Sequence, residues 1–280
     1  MTSAVPARWL PWLLTGLAIA AQIAWPLTAG SGRTATTQAV VVLFAAASIS
    51  HAWVHRGGSW CARYTAITLA FGFGVEVLGV STGLPFSGYS YGPALTPQLL
   101  GVPVVVPLAW AMMAYPAMLV GRALAVTKPG QVAIGAFALS AWDLFLDPQM
   151  VGESYWTWDT PEPTLPGVPG IPIANYLGWL AAAAVLMALL SWLPELVADD
   201  RVPAVLYGWT WLGGVVANAV FLGRPAVALW GGLAMGLVAV PYLRTVLAAT
   251  RSSRARPAPS PAAAAASTET TSAATDGDGL

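Results

Sequence analysis

The chain has 280 residues, 57% of them hydrophobic and only 9% charged, with a formal net charge of zero. A soluble domain carries about 25% charged residues, so an ordinary soluble fold is excluded. The neutral balance removes the electrostatic case for nucleic-acid binding, and the single cysteine, Cys61, excludes an internal disulfide and a cysteine-built metal cage.

Several apolar runs reach the roughly 20 residues needed to cross a bilayer. They predict an all-α, polytopic transmembrane bundle of eight spans, near 9–29, 36–54, 63–80, 103–123, 130–147, 173–194, 203–222 and 225–247. The first follows Arg8 and is stopped by Trp25-Pro26; with no small-residue cleavage site after it, it reads as a retained helix. The second carries His51 and His55, four apart on one face. Two ligands do not complete a catalytic metal site, and no neighbouring acid or thiol adds a third, so the expectation is a solvated interfacial pair. Cys61 reads as a small interfacial residue.

The third span ends around Glu76, within Phe-Gly-Phe-Gly-Val-Glu-Val-Leu-Gly. Residues 81–102 then form an uncharged loop rich in Gly, Pro and aromatic residues. The fifth span closes on Asp143 and Asp147. The following loop, 148–172, holds Glu153, Asp159 and Glu162, no basic residue, and five prolines after Gln149. Loops this long in a compact protein are usually functional or disordered. Their aromatic content predicts packed loops lying on the membrane face, and an interfacial aromatic belt accounts equally well for Tyr155, Trp156 and Trp158. Asn175 opens the sixth span and Asn218 lies near the end of the seventh. The expected organisation is a membrane domain over 1–250 and a disordered cytoplasmic tail over 251–280, where Pro, Ala, Ser and Thr leave nothing to bury.

Basic residues orient the spans. With the N-terminus inside, Arg8, Arg56, Arg63, Arg122, Lys128, Arg201, Arg244, Arg251, Arg254 and Arg256 are cytoplasmic, and only Arg33 and Arg224 lie outside. That asymmetry fits the positive-inside rule with both termini cytoplasmic in a multi-pass cell-membrane protein. It also brings Glu76, Asp143, Asp147, Asn175 and Asn218, from four different helices, to similar depth on the outer side.

Carboxylates at membrane depth are costly and are usually functional. Asp143 and Asp147, at i and i+4, share a helix face, and two close carboxylates in an apolar setting cannot both ionise cheaply. A retained proton there is suited to general-acid chemistry. Nearby aromatic faces stabilise a developing cation. No recognisable nucleotide or cofactor motif accompanies them, so no metal and no cofactor is expected. The residues point to acid-catalysed attack on a carbon–carbon double bond of a lipid.

Glu76-Val-Leu-Gly-Val-Ser-Thr-Gly-Leu-Pro-Phe-Ser-Gly-Tyr-Ser-Tyr91, Gly101-Val-Pro-Val-Val-Val-Pro-Leu-Ala-Trp110, Trp142-Asp-Leu-Phe-Leu-Asp-Pro-Gln-Met150, Tyr155-Trp-Thr-Trp158 and Gly170-Ile-Pro-Ile-Ala-Asn-Tyr-Leu-Gly-Trp179 follow one another along the chain. This series resembles the membrane carotenoid-biosynthesis family that includes bisanhydrobacterioruberin hydratase and the carotenoid 1′,2′-hydratases. The likeness covers roughly residues 70–180. It implies addition of water to the terminal double bond of an acyclic carotenoid end, giving a tertiary alcohol. On that reading Asp143 or Asp147 protonates the alkene, and the other aspartate or Glu76 handles the water. Tyr89, Tyr91, Trp142 and Trp156 line the end-group pocket, and Asn175 and Asn218 complete the polar shell. Expected partners are the carotenoid, membrane lipid and other enzymes of the carotenoid pathway. Two other readings use the same residues: a carotenoid end-group cyclase, and a pigment carrier or proton-coupled transporter.

Overall fold

A computed structural model of the protein describes residues 8–255. It has eight helices long and apolar enough to cross a membrane. They are α1 (Leu10–Ala24), α2 (Gly30–Arg56), α3 (Gly58–Thr82), α4 (Val105–Leu124), α5 (Lys128–Gly152), α6 (Ile173–Leu190), α7 (Arg201–Val216) and α8 (Pro225–Ala255). A 3₁₀ turn over Trp25–Leu27 ends the first span, and a π turn over Ala217–Phe221 ends the seventh. Helices α2, α3, α5 and α8 each outrun the sequence reading, and two of these extensions bear on the site. α2 starts at Gly30, which makes Arg33, Thr34 and Thr37 helical, and α5 continues through Pro148 to Gly152, which sets Asp147 inside the helix. A first compact unit ends at Leu243, and the last part of α8 belongs to a second. The remainder of the expected tail lies outside the described residues.

α4 is the axis of the bundle. It is buried from Val105 to Gly121 with only Leu108 and Ala109 partly open, and α2, α3 and α5 pack around it. Lipid supplies little hydrophobic drive between spans, so close approach depends on small residues. At Gly121 a Cβ would stand 2.3 Å from the carbonyl oxygen of Gln131 on α5, so only glycine allows α4 and α5 to meet there. α5 itself is started by Thr127, whose hydroxyl accepts from the Gly130 amide, with a proline in its first turn.

The loops at one end are built of short antiparallel ribbons. Strands β2 (Gln98–Leu99) and β3 (Val102–Pro103) form one hairpin, and β5 (Thr164–Leu165) and β6 (Val168–Pro172) another. The third ribbon joins the two long loops to each other. β1 (Tyr89–Tyr91) pairs with β4 (Trp156–Trp158), setting Tyr89 opposite Trp158, Ser90 opposite Thr157 and Tyr91 opposite Trp156. Side chains alternate along a strand, so Tyr-Ser-Tyr and Trp-Thr-Trp turn all four rings to one face and leave Ser90 and Thr157 exposed. Tyr155 and Trp158 are buried and Trp156 is half-buried. These rings form the underside of a lid, not a membrane-interface belt.

At the opposite end, the segment after α6 is tied to the bundle by a buried arginine. Arg56 donates to the Tyr115 hydroxyl (2.8 Å), to the Leu196 carbonyl (2.6 Å) and to Asp200 (2.5 Å). His51 lies between the Tyr115 hydroxyl (2.9 Å) and the Asp199 carbonyl (2.8 Å), and stacks on His55 at 4.3 Å. This corrects the expectation of a solvated pair. His51 is fully buried because the 191–200 segment folds over it and supplies a backbone acceptor.

Candidate active site

The acidic residue of α3 is placed by the glycines around it. Gly72 and Gly79 lie four residues before and three after Glu76, on the same helix face. A Cβ at Gly72 would meet the Trp110 side chain at 2.9 Å, and one at Gly79 would meet the Tyr89 hydroxyl at 2.7 Å. The missing side chains let both rings lie against α3 with their polar atoms on the carboxylate. Glu76 Oε1 accepts from Trp110 Nε1 at 2.8 Å, and Oε2 accepts from the hydroxyls of Tyr89 at 2.5 Å and Tyr91 at 2.7 Å. A bare buried carboxylate costs tens of kcal/mol in a low-dielectric medium, about, and each hydrogen bond to a charged group restores about 1.5–3 kcal/mol. Three donors therefore offset part of that cost and cover both oxygens. Burial, reinforced by the Glu76 charge, pushes both tyrosine hydroxyls well above their usual range, so they remain donors.

On α5, Asp143 and Asp147 are buried together with Asn175 of α6. The Asn175 amide nitrogen donates to both acids, at 3.0 Å to Asp143 Oδ2 and more closely to Asp147 Oδ2. Trp156 Nε1, from the lid, donates to Asp147 Oδ1 at 3.1 Å. Asp143 Oδ1 accepts from no donor among the described residues. Among the described residues, neither aspartate has an ion-pair partner. Of the two cations at this end, Arg33 bridges to Glu153 at 2.6 Å, and the Arg224 guanidinium lies against Gly152 with its Nη1 buried and unpaired among the described residues. Among the described residues, no three His, Cys, Asp or Glu side chains gather in the way a metal site needs.

Between the two acidic centres lies a pocket of about 610 Å³, its open mouth included. Glu76, Asp147 and Asn175 are its polar wall. Trp110, Trp142, Trp156, Trp158 and Trp179 line it, with Phe86, Tyr89 and Tyr91 under the lid and aliphatic side chains such as Leu95, Val105 and Leu146 between them. The rings brace one another. Trp110 and Trp179 stack at 4.3 Å, Trp142 meets Trp179 edge-on at 6.1 Å, and Tyr91 meets Trp156 edge-on at 5.6 Å. Trp158 Nε1 donates to the Phe86 carbonyl at 3.0 Å, which ties the two halves of the lid together. Indole faces around buried carboxyl groups can hold an apolar chain end, deliver a proton to it and stabilise the resulting positive charge.

Of the residues singled out in the sequence, Glu76, Tyr89, Tyr91, Trp142, Asp147, Trp156 and Asn175 share this pocket. Asp143 stands behind its wall, joined to it through Asn175. Asn218 does not join it. Its amide donates to Gly214 within its own helix, and its carbonyl oxygen has no partner. Trp110, Trp158, Trp179, Phe86 and Thr37 were not anticipated. All but Thr37 sit inside the motifs quoted above, but an apolar ring in an apolar chain carries no mark that separates a pocket wall from core.

Residues 36–238 match the family described as "Carotenoid biosynthesis protein". A bisanhydrobacterioruberin hydratase of Haloarcula japonica is 32% identical over 129 residues, which is 44% of this chain and 42% of that protein's length. No solved structure matches the chain. The family match takes in α3 to α7, the lid and every residue of the pocket, and this membrane protein belongs to the carotenoid biosynthesis protein family.

Proposed function

We propose that the protein is an enzyme that adds water to the terminal double bond of an acyclic carotenoid end group, without a cofactor. The observation that carries this reading is Asp147: a carboxyl group on the pocket wall, linked through one amide to a second buried acid, and faced by indole rings with no paired cation among the described residues. The hydratase name of the Haloarcula japonica relative supports the same chemistry.

The Asp143–Asp147 pair holds one proton, because two adjacent buried carboxylates without a cation do not both ionise. Asp147 delivers it to the less substituted alkene carbon, leaving a tertiary cation. The tryptophan faces and the fixed Glu76 anion stabilise that cation. Water attacks it, and its surplus proton returns to Asp147. Glu76 already accepts three hydrogen bonds, so its part is to hold Tyr89, Tyr91 and Trp110 and to supply negative charge. Asn175 holds the two aspartates together. An extended carotenoid is about as long as the hydrocarbon core is thick, roughly 30 Å, so one end reaches the pocket while the polyene lies along the spans.

Expression in a host that makes acyclic carotenoids, followed by mass analysis of the pigments, tests this. A gain of one water per reacted end is expected. A product of unchanged mass with a new ring would replace the reading with a cyclase, and unchanged pigment bound to the purified protein would replace it with a carrier.

A further inference from the structure

Hydration consumes water, but the pocket holding Asp147 is walled mainly by rings and aliphatic side chains. A hydrocarbon chain seated in it excludes water from its own entrance. A second recess, of about 920 Å³ with its open mouth, lies at the same end of the bundle and is polar: Ser31, Thr34 and Gln38 of α2, with Thr96 and Glu153, contribute to its wall. Glu153 there is paired with Arg33.

The two spaces share one partition, and Tyr155 is its centre. Tyr155 forms a buried cluster with Leu95 and Met150, against which Leu146 and Trp156 pack; these four line the Asp147 pocket, while Tyr155 itself lines the recess. Its hydroxyl donates to Thr34 Oγ1 at 3.2 Å, on the recess side. It also lies 3.4 Å from Thr37 Oγ1, which belongs to the Asp147 pocket. Thr34 and Thr37, three apart, are neighbours on the α2 face. Three hydroxyls therefore stand in a row across the wall, the last of them, Thr37, also donating to the Arg33 carbonyl at 2.9 Å and accepting from Trp25 Nε1 at 2.8 Å. The tyrosine is fixed from both sides, its amide donating to the Met150 carbonyl at 3.0 Å and its carbonyl accepting from the Gly92 amide at 2.8 Å.

We propose that this recess is the water entrance of the active site, and that the Tyr155 hydroxyl, between Thr34 and Thr37, passes water through the partition to the cation. The proposal rests on the hydratase reading above and names the path of its second substrate. The step balances on one alkene and one water. A C–H bond forms from the Asp147 proton as the π bond breaks, a C–O bond forms from a water lone pair, and the oxonium proton returns to the Asp147 carboxylate. With carotenoid entering from the lipid and water from the polar recess, the cation meets water only after the proton transfer.

Tyr155→Phe and Thr37→Val remove one hydroxyl each while keeping the shape of the side chain. The full-length protein, in membranes equilibrated with deuterium oxide, is given an acyclic carotenoid, and two quantities are read from the same sample. Hydrated product reports water capture. Deuterium found in unreacted carotenoid reports cation formation followed by loss of a proton. Each variant is expected to give about tenfold less hydrated product per deuterium taken up, the loss that follows from removing one ordinary hydrogen bond. Variants with an unchanged ratio overturn the route while leaving the hydratase reading intact, whether both quantities match wild type or both fall together through misfolding of the wall. A wild-type protein that yields neither quantity overturns the hydratase reading and this route with it.

Discussion

Asp143 and Asp147 share a helix face and an amide partner, but only Asp147 lines the pocket. That difference assigns them unequal work. Asp147→Asn keeps the hydrogen bonds that the side chain accepts through one oxygen and removes the transferable proton. Hydration is expected to fall by about 10²–10⁴-fold, the usual contribution of a general acid. Asp143→Asn leaves the delivering group in place and disturbs only its proton-sharing partner, so a smaller loss, about tenfold, is expected for one altered hydrogen bond. Initial rates over a range of carotenoid loading check this, with the fall expected in the maximal rate. Full activity in Asp147→Asn would remove it from the mechanism. Both aspartates were legible from the sequence because charge stands out in an apolar helix. The indoles were not: Trp110 and Trp179 become site residues only through their stacking across α4 and α6, a contact between residues far apart in the chain.

At the scale of elements, the spans were readable because apolar length alone decides them, and their ends moved where polar residues turned out helical, as from Gly30 to Thr37, or where the helix ran on through a proline, as at Pro148. The lid was not readable. β1 and β4 are three residues each and pair across the whole of α4 and α5, so no local signal marks them. The lid is nonetheless seated by a local feature, Gly178 on α6. A Cβ there would stand 2.3 Å from the Pro85 carbonyl oxygen and 3.2 Å from the Phe86 Cα, both backbone atoms that have no rotamer to retreat into. Gly178→Ala is therefore expected to lift the start of the loop that carries Phe86, Tyr89 and Tyr91. The spans lie below that contact and should persist. Far-ultraviolet circular dichroism should stay at the wild-type level while hydration falls at least about tenfold, the cost of one disturbed donor on Glu76. Wild-type activity would mean that the loop can shift without moving the tyrosines.

At the scale of the molecule, the two ends of the bundle are built for different tasks. The pocket end closes two loops over Glu76 and Asp147, whereas the other end fastens the 191–200 segment with Arg56, His51 and the Tyr115 hydroxyl. Eight spans place β1 and that segment on opposite faces of a membrane. We propose from charge which face is which: Arg56, Arg63, Arg122, Lys128 and Arg201 flank the fastened end, against Arg33 and Arg224 at the lid end, and by the positive-inside rule the lid is expected outside. Single-cysteine labelling tests this directly, because Cys61, the only native thiol, is buried and can be replaced by alanine. In that background Ser90→Cys presents a thiol on the exposed side of the lid, and Trp192→Cys presents one at the far end. In right-side-out vesicles an impermeant maleimide should label the Ser90 position at once and the Trp192 position only after permeabilisation. The opposite pattern would turn the site toward the cytoplasm and require the carotenoid end to be hydrated from that side. Equal labelling of both before permeabilisation would contradict the odd number of spans, α4, α5 and α6, between Ser90 and Trp192, and with it the separation of the two ends on which the orientation rests.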